Sequence, residues 1–228
     1  MNTKVIEAID TRISQRSLLT HPFYQAWQRG ELTKAALADY ATQYYFHVDA
    51  FPRYLSALHS HTQNPATRRA LLQNLVDEEA GRPNHPELWL QFAEGVGASR
   101  GAVLAASPEP ETVALTETYS GLCRGGSVAA GLAALYAYES QIPAVAGTKI
   151  DGLERFYGIT EEKSLAYFKV HQEADVVHAA EERRLLEGHL QDADAGDAVA
   201  SAQQALDALW GLLSGVCDRH QIGLGACA

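Results

Sequence analysis

The 228-residue chain is short of cations: 18 Lys and Arg face 28 Asp and Glu, for a formal net charge of −10. Phosphate-backbone binding draws on clustered Lys and Arg, so the absence of a basic stripe argues against nucleic acid as a partner. The N-terminal segment contains Lys4, Glu7, Asp10, Arg12 and Arg16. It therefore lacks the apolar core of a signal peptide, and a cytoplasmic protein is expected. The three cysteines, Cys123, Cys217 and Cys227, are odd in number and lack the spacing of a zinc site or a disulfide framework, so reduced thiols are expected. A long apolar run is missing too. The most apolar stretch, 125–148, is interrupted by Glu139 and Pro143, which suits a buried core helix and not a membrane span.

Period-two alternation is scarce, and Gly and Pro fall mostly in short punctuating clusters, while Ala is abundant. This pattern predicts an all-α protein. With no internal repeat, low-complexity tract or linker, residues 1–228 read as a single domain, a compact bundle of about seven helices. Asn2 or Thr3 caps the first helix, whose Val5, Ile6, Ile9 and Ile13 form a buried stripe. HPFYQAWQRG is a short helix ended by Gly30, and Thr33 then caps a long one that Pro52 should kink. Helices follow from Pro65, from His85, and from Pro110 to Gly125-Gly126. The apolar helix from Ser127 is expected to bend at Pro143 and give way to a Gly-punctuated connection around Lys149 and Gly152. A short helix should then cover Asp151 to Tyr157. Thr160 caps the next helix, and the last spans roughly Gly196 to His220.

The informative stretch is YFKVHQEADVVHAAEE, from Tyr167 to Glu182. Its His171, Asp175 and His178 stand at i, i+4 and i+7, which places them within roughly 60° of one another on a helix. Two imidazoles and a carboxylate on one face are donors for iron, manganese or zinc, and Asp-x-x-His resembles the Glu-x-x-His pair of di-iron bundles. Glu139, the one charged residue between Arg124 and Lys149, must be salt-bridged, protonated or metal-bound if it is buried. Glu78 and His85 are seven apart across a Gly81/Pro83 break. Together the six candidates are three carboxylates and three imidazoles, a stoichiometry for two metal ions with positions open to oxygen. The histidines at 21, 47, 59, 61, 189 and 220 have no partner at ligand spacing and read as surface or packing residues.

HPFYQAWQRGEL, YATQYYFHVDAFPRYLSALH, DEEAGRPNHPELW, YAYESQIPAVAGTKIDGL and YFKVHQEADVVHAAEE, in this order, resemble the haem-oxygenase-like group containing TenA and PqqC. They are most similar to its di-metal branch, typified by the Chlamydia protein associating with death domains. The resemblance covers nearly the whole chain, and Glu78, His85, Glu139, His171, Asp175 and His178 fill every ligand position of that branch. It implies an O₂-dependent, self-sacrificing route to p-aminobenzoate, the aromatic precursor of folate. Tyr24 matches the tyrosine that becomes the product, and Lys149 matches the lysine implicated as amino donor. Tyr40, Tyr138 and Tyr167 match tyrosines kept near the metals. The implied cofactors are two metal ions, Fe/Fe or Fe/Mn, with O₂ as co-substrate and an external reductant. A homodimer is the family expectation, and no segment resembles a death-domain docking motif.

Four rivals stand beside this reading. One is a di-iron oxygenase that uses the same ligand set on an external small molecule. A PqqC-like cofactorless oxidase would not need the ligand set. A TenA-like hydrolase would need a nucleophilic cysteine, for which Cys123 is the candidate in the central helices. An interaction protein would need a docking motif.

Overall fold

The computed structural model describes residues 2–190 and 195–223. Among them it forms eleven α-helices and one 3₁₀ turn, with no strand, more pieces than the expected seven. The helices are α1 (Asn2–Gln15), α2 (Pro22–Arg29), α3 (Lys34–His61), α4 (Pro65–Glu79), α5 (His85–Gly95), α6 (Arg100–Ala105), α7 (Pro110–Gly125), α8 (Val128–Glu139), α9 (Ile142–Phe156), α10 (Glu162–His189) and α11 (Ala195–His220). The extra pieces come from caps: Ser99 Oγ accepts from the Ala102 amide to start α6, inside what reads as a loop. No described helix is long and apolar enough to cross a membrane.

Several starts follow side-chain chemistry visible in sequence. Thr33 Oγ1 accepts from the Ala36 amide and Ser127 Oγ from that of Ala130, each satisfying one orphan donor of a first turn. The cap of α10 is Glu161, not Thr160, and its side chain makes no capping bond. Helix α3 continues through Pro52 without interruption. Around α3 pack α4, α5, α7 and α11, while α8 is buried along its whole length between α10 and α11.

The largest departure from expectation is α9. Pro143 occupies its first turn, where a missing N–H costs nothing, so the helix starts there and does not bend. The expected connection around Lys149 and the short helix after it are one continuous helix. Its second glycine serves close packing: a Cβ on Gly152 would lie 2.4 Å from Trp27 Nε1. That indole donates to the Lys149 carbonyl at 3.3 Å, so α2 and α9 lock together beside Lys149. Gly152→Ala should therefore destabilise the fold by about 1–3 kcal/mol through overpacking, read as a lower urea midpoint with unchanged slope. An unchanged midpoint would show that the contact yields freely.

Candidate metal centre

Helix α10 presents His171, Asp175 and His178 on one buried face, α8 presents Glu139, and α4 and α5 contribute Glu78 and His85. Asn84 sets the last of these. Its Oδ1 accepts from the Glu87 amide, which starts α5 and puts His85 in the first turn, directly after the break that obscured its spacing to Glu78. All six predicted ligands come together as two groups, Glu78, His85 and His171, and Glu139, Asp175 and His178. Within each, one ligand atom per residue lies within 4.8 Å of the others.

The surrounding bonds free the right atoms for a cation. A carbonyl only accepts, so His171 Nδ1 donates to the Tyr167 carbonyl at 2.6 Å and leaves Nε2 open. His178 Nε2 lies 3.1 Å from Asp77 Oδ2. Its Nδ1, 3.6 Å from Asp175 Oδ1 and 3.7 Å from Glu139 Oε1, has no hydrogen-bond partner. His85 Nδ1 is 2.8 Å from Glu78 Oε2 without satisfying hydrogen-bond geometry. Asn74 Nδ2 donates to both oxygens of Glu139, at 3.1 and 3.3 Å, and fixes that carboxylate. Asp175 Oδ2 is buried and unpartnered. Buried oxygen and imidazole donors left open at close range fit two metal ions.

Electrostatics agree. Burial pushes Asp175 up to about 7 and raises Glu139. Burial alone would lower His178, but Asp175, Glu139 and Asp77 outweigh it and lift it to about 9. His171 is held well below its ordinary value by burial and by His85. Burial thus disfavours the ionised carboxylates, and a bound cation would reverse that balance. A cavity of about 10 Å³ is lined by Glu78 and His171 from one group and Glu139 and Asp175 from the other, with Tyr138 and Tyr167. That is room for about one water.

The predicted tyrosines and lysine form a second buried cluster beside the first. Lys149 Nζ donates to the Tyr40 hydroxyl at 2.6 Å, and Tyr40 and Tyr24 share a hydrogen bond of 3.3 Å. Lys149 was a loop residue by sequence, yet it is buried in α9, because Gly152 lets α9 approach α2. The Tyr44 hydroxyl donates to Tyr138 at 2.9 Å. Tyr167 stacks on His171 with ring centroids 4.0 Å apart. Trp89 joins the clusters, its ring 5.8 Å from that of Tyr40 and 4.8 Å from that of Tyr167. Sequence reasoning missed Trp89, Asn74, Asp77 and Glu182. Trp89 lies one turn after His85, and Glu182 one turn after His178, spacings that mark both as facing the site.

Cys123 is buried in α7 and its thiol is pushed up to about 12 by burial, a state without nucleophilic thiolate. Cys217 is also a free buried thiol, and Cys227 lies outside the described residues.

Residues 38–210 match the family model described as iron-containing redox enzyme. The chain is 44% identical over 213 residues to the 4-aminobenzoate synthase of Chlamydia trachomatis, covering 93% of this chain and 92% of that protein. It is 40% identical over 224 residues to the 4-aminobenzoate synthase of Nitrosomonas europaea, covering 94% and 91%. A domain with a heme oxygenase-like fold from Shewanella denitrificans superposes with a TM-score of 0.81 at 21% identity, over 99% of this chain and 96% of that one. With its helical fold and its two convergent groups of candidate ligands, the chain belongs to the iron-containing redox enzyme family.

Proposed function

We propose that this enzyme makes p-aminobenzoate from its own Tyr24, with O₂ as co-substrate, an external reductant, and Lys149 as the amino donor. The observation that carries the reading is the chain Lys149 Nζ, Tyr40 hydroxyl, Tyr24 hydroxyl, closed by bonds of 2.6 and 3.3 Å in a buried site. Relatives that cover nearly all of this chain bear the name 4-aminobenzoate synthase. Two metal ions, Fe/Fe or Fe/Mn, would be held by Glu78, His85 and His171 and by Glu139, Asp175 and His178, and the chemistry they supply when bound is O₂ activation.

The protein's own groups account for the rest. Burial lowers Lys149 to about 7, so a substantial share of its amine is neutral and nucleophilic near neutral pH. Tyr40 stands between amine and phenol and can pass a proton either way. Burial holds the Tyr24 phenol well above its ordinary value, so it stays protonated until it is oxidised. Trp89, Tyr167 and the Tyr44–Tyr138 pair provide adjacent oxidisable rings through which an electron leaves the Tyr24 cluster toward the ligands. The cavity bordered by both ligand groups is far too small for a free aromatic substrate, which favours a substrate already covalently in place.

A second reading, an oxygenase acting on an external small molecule, is favoured by a cleft of about 380 Å³ between α4 and α10 that reaches Asn74, Asp77 and His178. Protein carrying ring-labelled tyrosine and heavy-nitrogen lysine separates the two. Metal-free protein is loaded with Fe(II), with or without Mn(II), under argon and then given O₂ and reductant. Product bearing both labels, in sub-stoichiometric yield with mass lost at Tyr24, is the expected result. Unlabelled product made from added tyrosine would transfer the assignment to the external substrate.

A further inference from the structure

The Glu139 group contains a carboxylate more than its three donors. Glu182 lies on α10 at four residues beyond His178 and seven beyond Asp175, on the same face. It is 3% exposed, and neither of its oxygens has a hydrogen-bond partner. The carboxyl faces that of Glu139 within hydrogen-bonding reach, yet two carboxylates have no hydrogen to share. No arginine answers them: Arg183 is bound to Asp10 and the Tyr136 hydroxyl, and Arg184 to Glu181. Asn74 spends its amide hydrogens on Glu139. Around Glu182 stand Glu139 from α8, Cys123 from α7 and Asp175 from α10, and the nearby His178 imidazole already faces Asp77, Glu139 and Asp175. An ionised carboxylate buried among such groups is strongly disfavoured unless a cation joins them.

We infer that Glu182 is a further protein ligand of the metal held by Glu139, Asp175 and His178, its carboxylate drawn in beside that of Glu139 when the ion binds. The inference rests on the di-metal reading. It makes the two sites unequal. One offers a single carboxylate with two imidazoles, the other three carboxylates with one imidazole, and the carboxylate-rich site is the harder one. Mn(II) alone is therefore the probe.

Metal-free wild type, Glu182→Gln and Asp175→Asn are titrated anaerobically with Mn(II), free ion being followed by electron paramagnetic resonance, and thermal midpoints are recorded with and without Mn(II). Glu182→Gln keeps the side-chain shape and removes only the charge. It is expected to weaken the tighter Mn(II) site by at least about tenfold and to shrink the Mn(II)-induced rise in midpoint, while its metal-free midpoint stays at or above that of wild type. If Glu182→Gln binds Mn(II) as tightly as wild type while Asp175→Asn does not, the di-metal site stands and Glu182 is not its ligand, its carboxyl instead sharing a proton with Glu139. If wild type binds no Mn(II) and no Fe(II), the di-metal reading falls and this inference with it. Should Glu182→Gln fail to fold, Glu182→Asp takes its place; affinity equal to wild type in that shortened variant would also overturn the assignment.

Discussion

Tyr24→Phe is expected to give no detectable p-aminobenzoate while still binding two metal ions. The substitution removes one oxygen atom from a buried ring and leaves the ring's other neighbours in place: Phe23 meets it edge-on at 5.4 Å, Trp27 tilts against it at 6.5 Å, and Lys149 Nζ lies 5.6 Å from its centroid. The hydroxyl has a single bond, the 3.3 Å one to Tyr40, and Tyr40 keeps Lys149 as its donor when that bond is lost. A neutral hydrogen bond of this kind contributes about 0.5–1.5 kcal/mol, too little to unfold a domain with a core this size. None of the six ligands is on α2. The variant thus separates chemistry from folding and from metal binding. Tyr119→Phe is the matched control, since that phenol is equally buried but has no hydrogen-bond partner. Its yield should equal that of wild type. Product chromatography, metal analysis and intact mass after O₂ exposure make the comparison. Wild-type yield from Tyr24→Phe would end the self-sacrifice proposal, whatever the metal content.

The clustering of the candidate ligands was legible because a helix imposes a period. His171, Asp175 and His178 lie on one face of α10 by spacing alone, and Glu139 stands out as the lone charge of an apolar helix. Glu182 continues the same face, but inside the run Glu181-Glu182-Arg183-Arg184 it reads as part of a solvated charge cluster. Its burial depends on the approach of α7 and α8, which no local pattern reports. Glu78 and His85 are brought together across the break between two helices, so their pairing rests on the packing of α4 and α5 against α3 and α10.

Lys149 was hidden for the opposite reason. Gly147 and Gly152 read as loop punctuation, whereas in the fold they let α9 lie close to α10 and α2: a Cβ on Gly147 would meet Gln172 Nε2 at 2.9 Å. A glycine that serves helix–helix approach and one that ends a helix look alike in one dimension. His47, read from the sequence as a surface or packing residue, is the latter. It lies among the rings of Tyr44, Phe51, Tyr54, Tyr119 and Tyr138, and burial alone holds it down to about 3, so it is a neutral packing residue.

Lys149→Met is the second decisive variant, and it should abolish product while making the protein more stable at neutral pH. Lys149 is 3% exposed, with the Tyr40 hydroxyl as hydrogen-bond partner and the rings of Tyr24, Tyr40, Tyr44, Trp89 and Phe168 at 5.0–5.6 Å from Nζ. Those rings offset part of the cost of the buried charge, but burial still lowers its pKa from 10.5 to about 7. The folded state therefore prefers the neutral amine and the unfolded chain the ammonium. Stability is undiminished above the unfolded value of 10.5, falls as the pH drops toward about 7, and levels off below that. Each unit of that shift is worth about 1.4 kcal/mol, so the residue costs on the order of several kcal/mol at pH 7 and little near pH 10. Methionine has nearly the same shape and no charge. Its advantage over lysine in urea unfolding should be largest at pH 6–7 and shrink steadily toward pH 10. The same titration governs the chemistry with the opposite consequence, because only the neutral amine can attack: the single-turnover yield of wild type should rise with pH through about 7. A Lys149→Met protein that is less stable than wild type across this whole range would show that the ammonium is held favourably by the rings around it. Product from that variant would remove Lys149 as amino donor. If both predictions hold, the group that destabilises the fold at neutral pH is also the one the reaction consumes, which is the expected relation between a strained buried lysine and its use as a nucleophile.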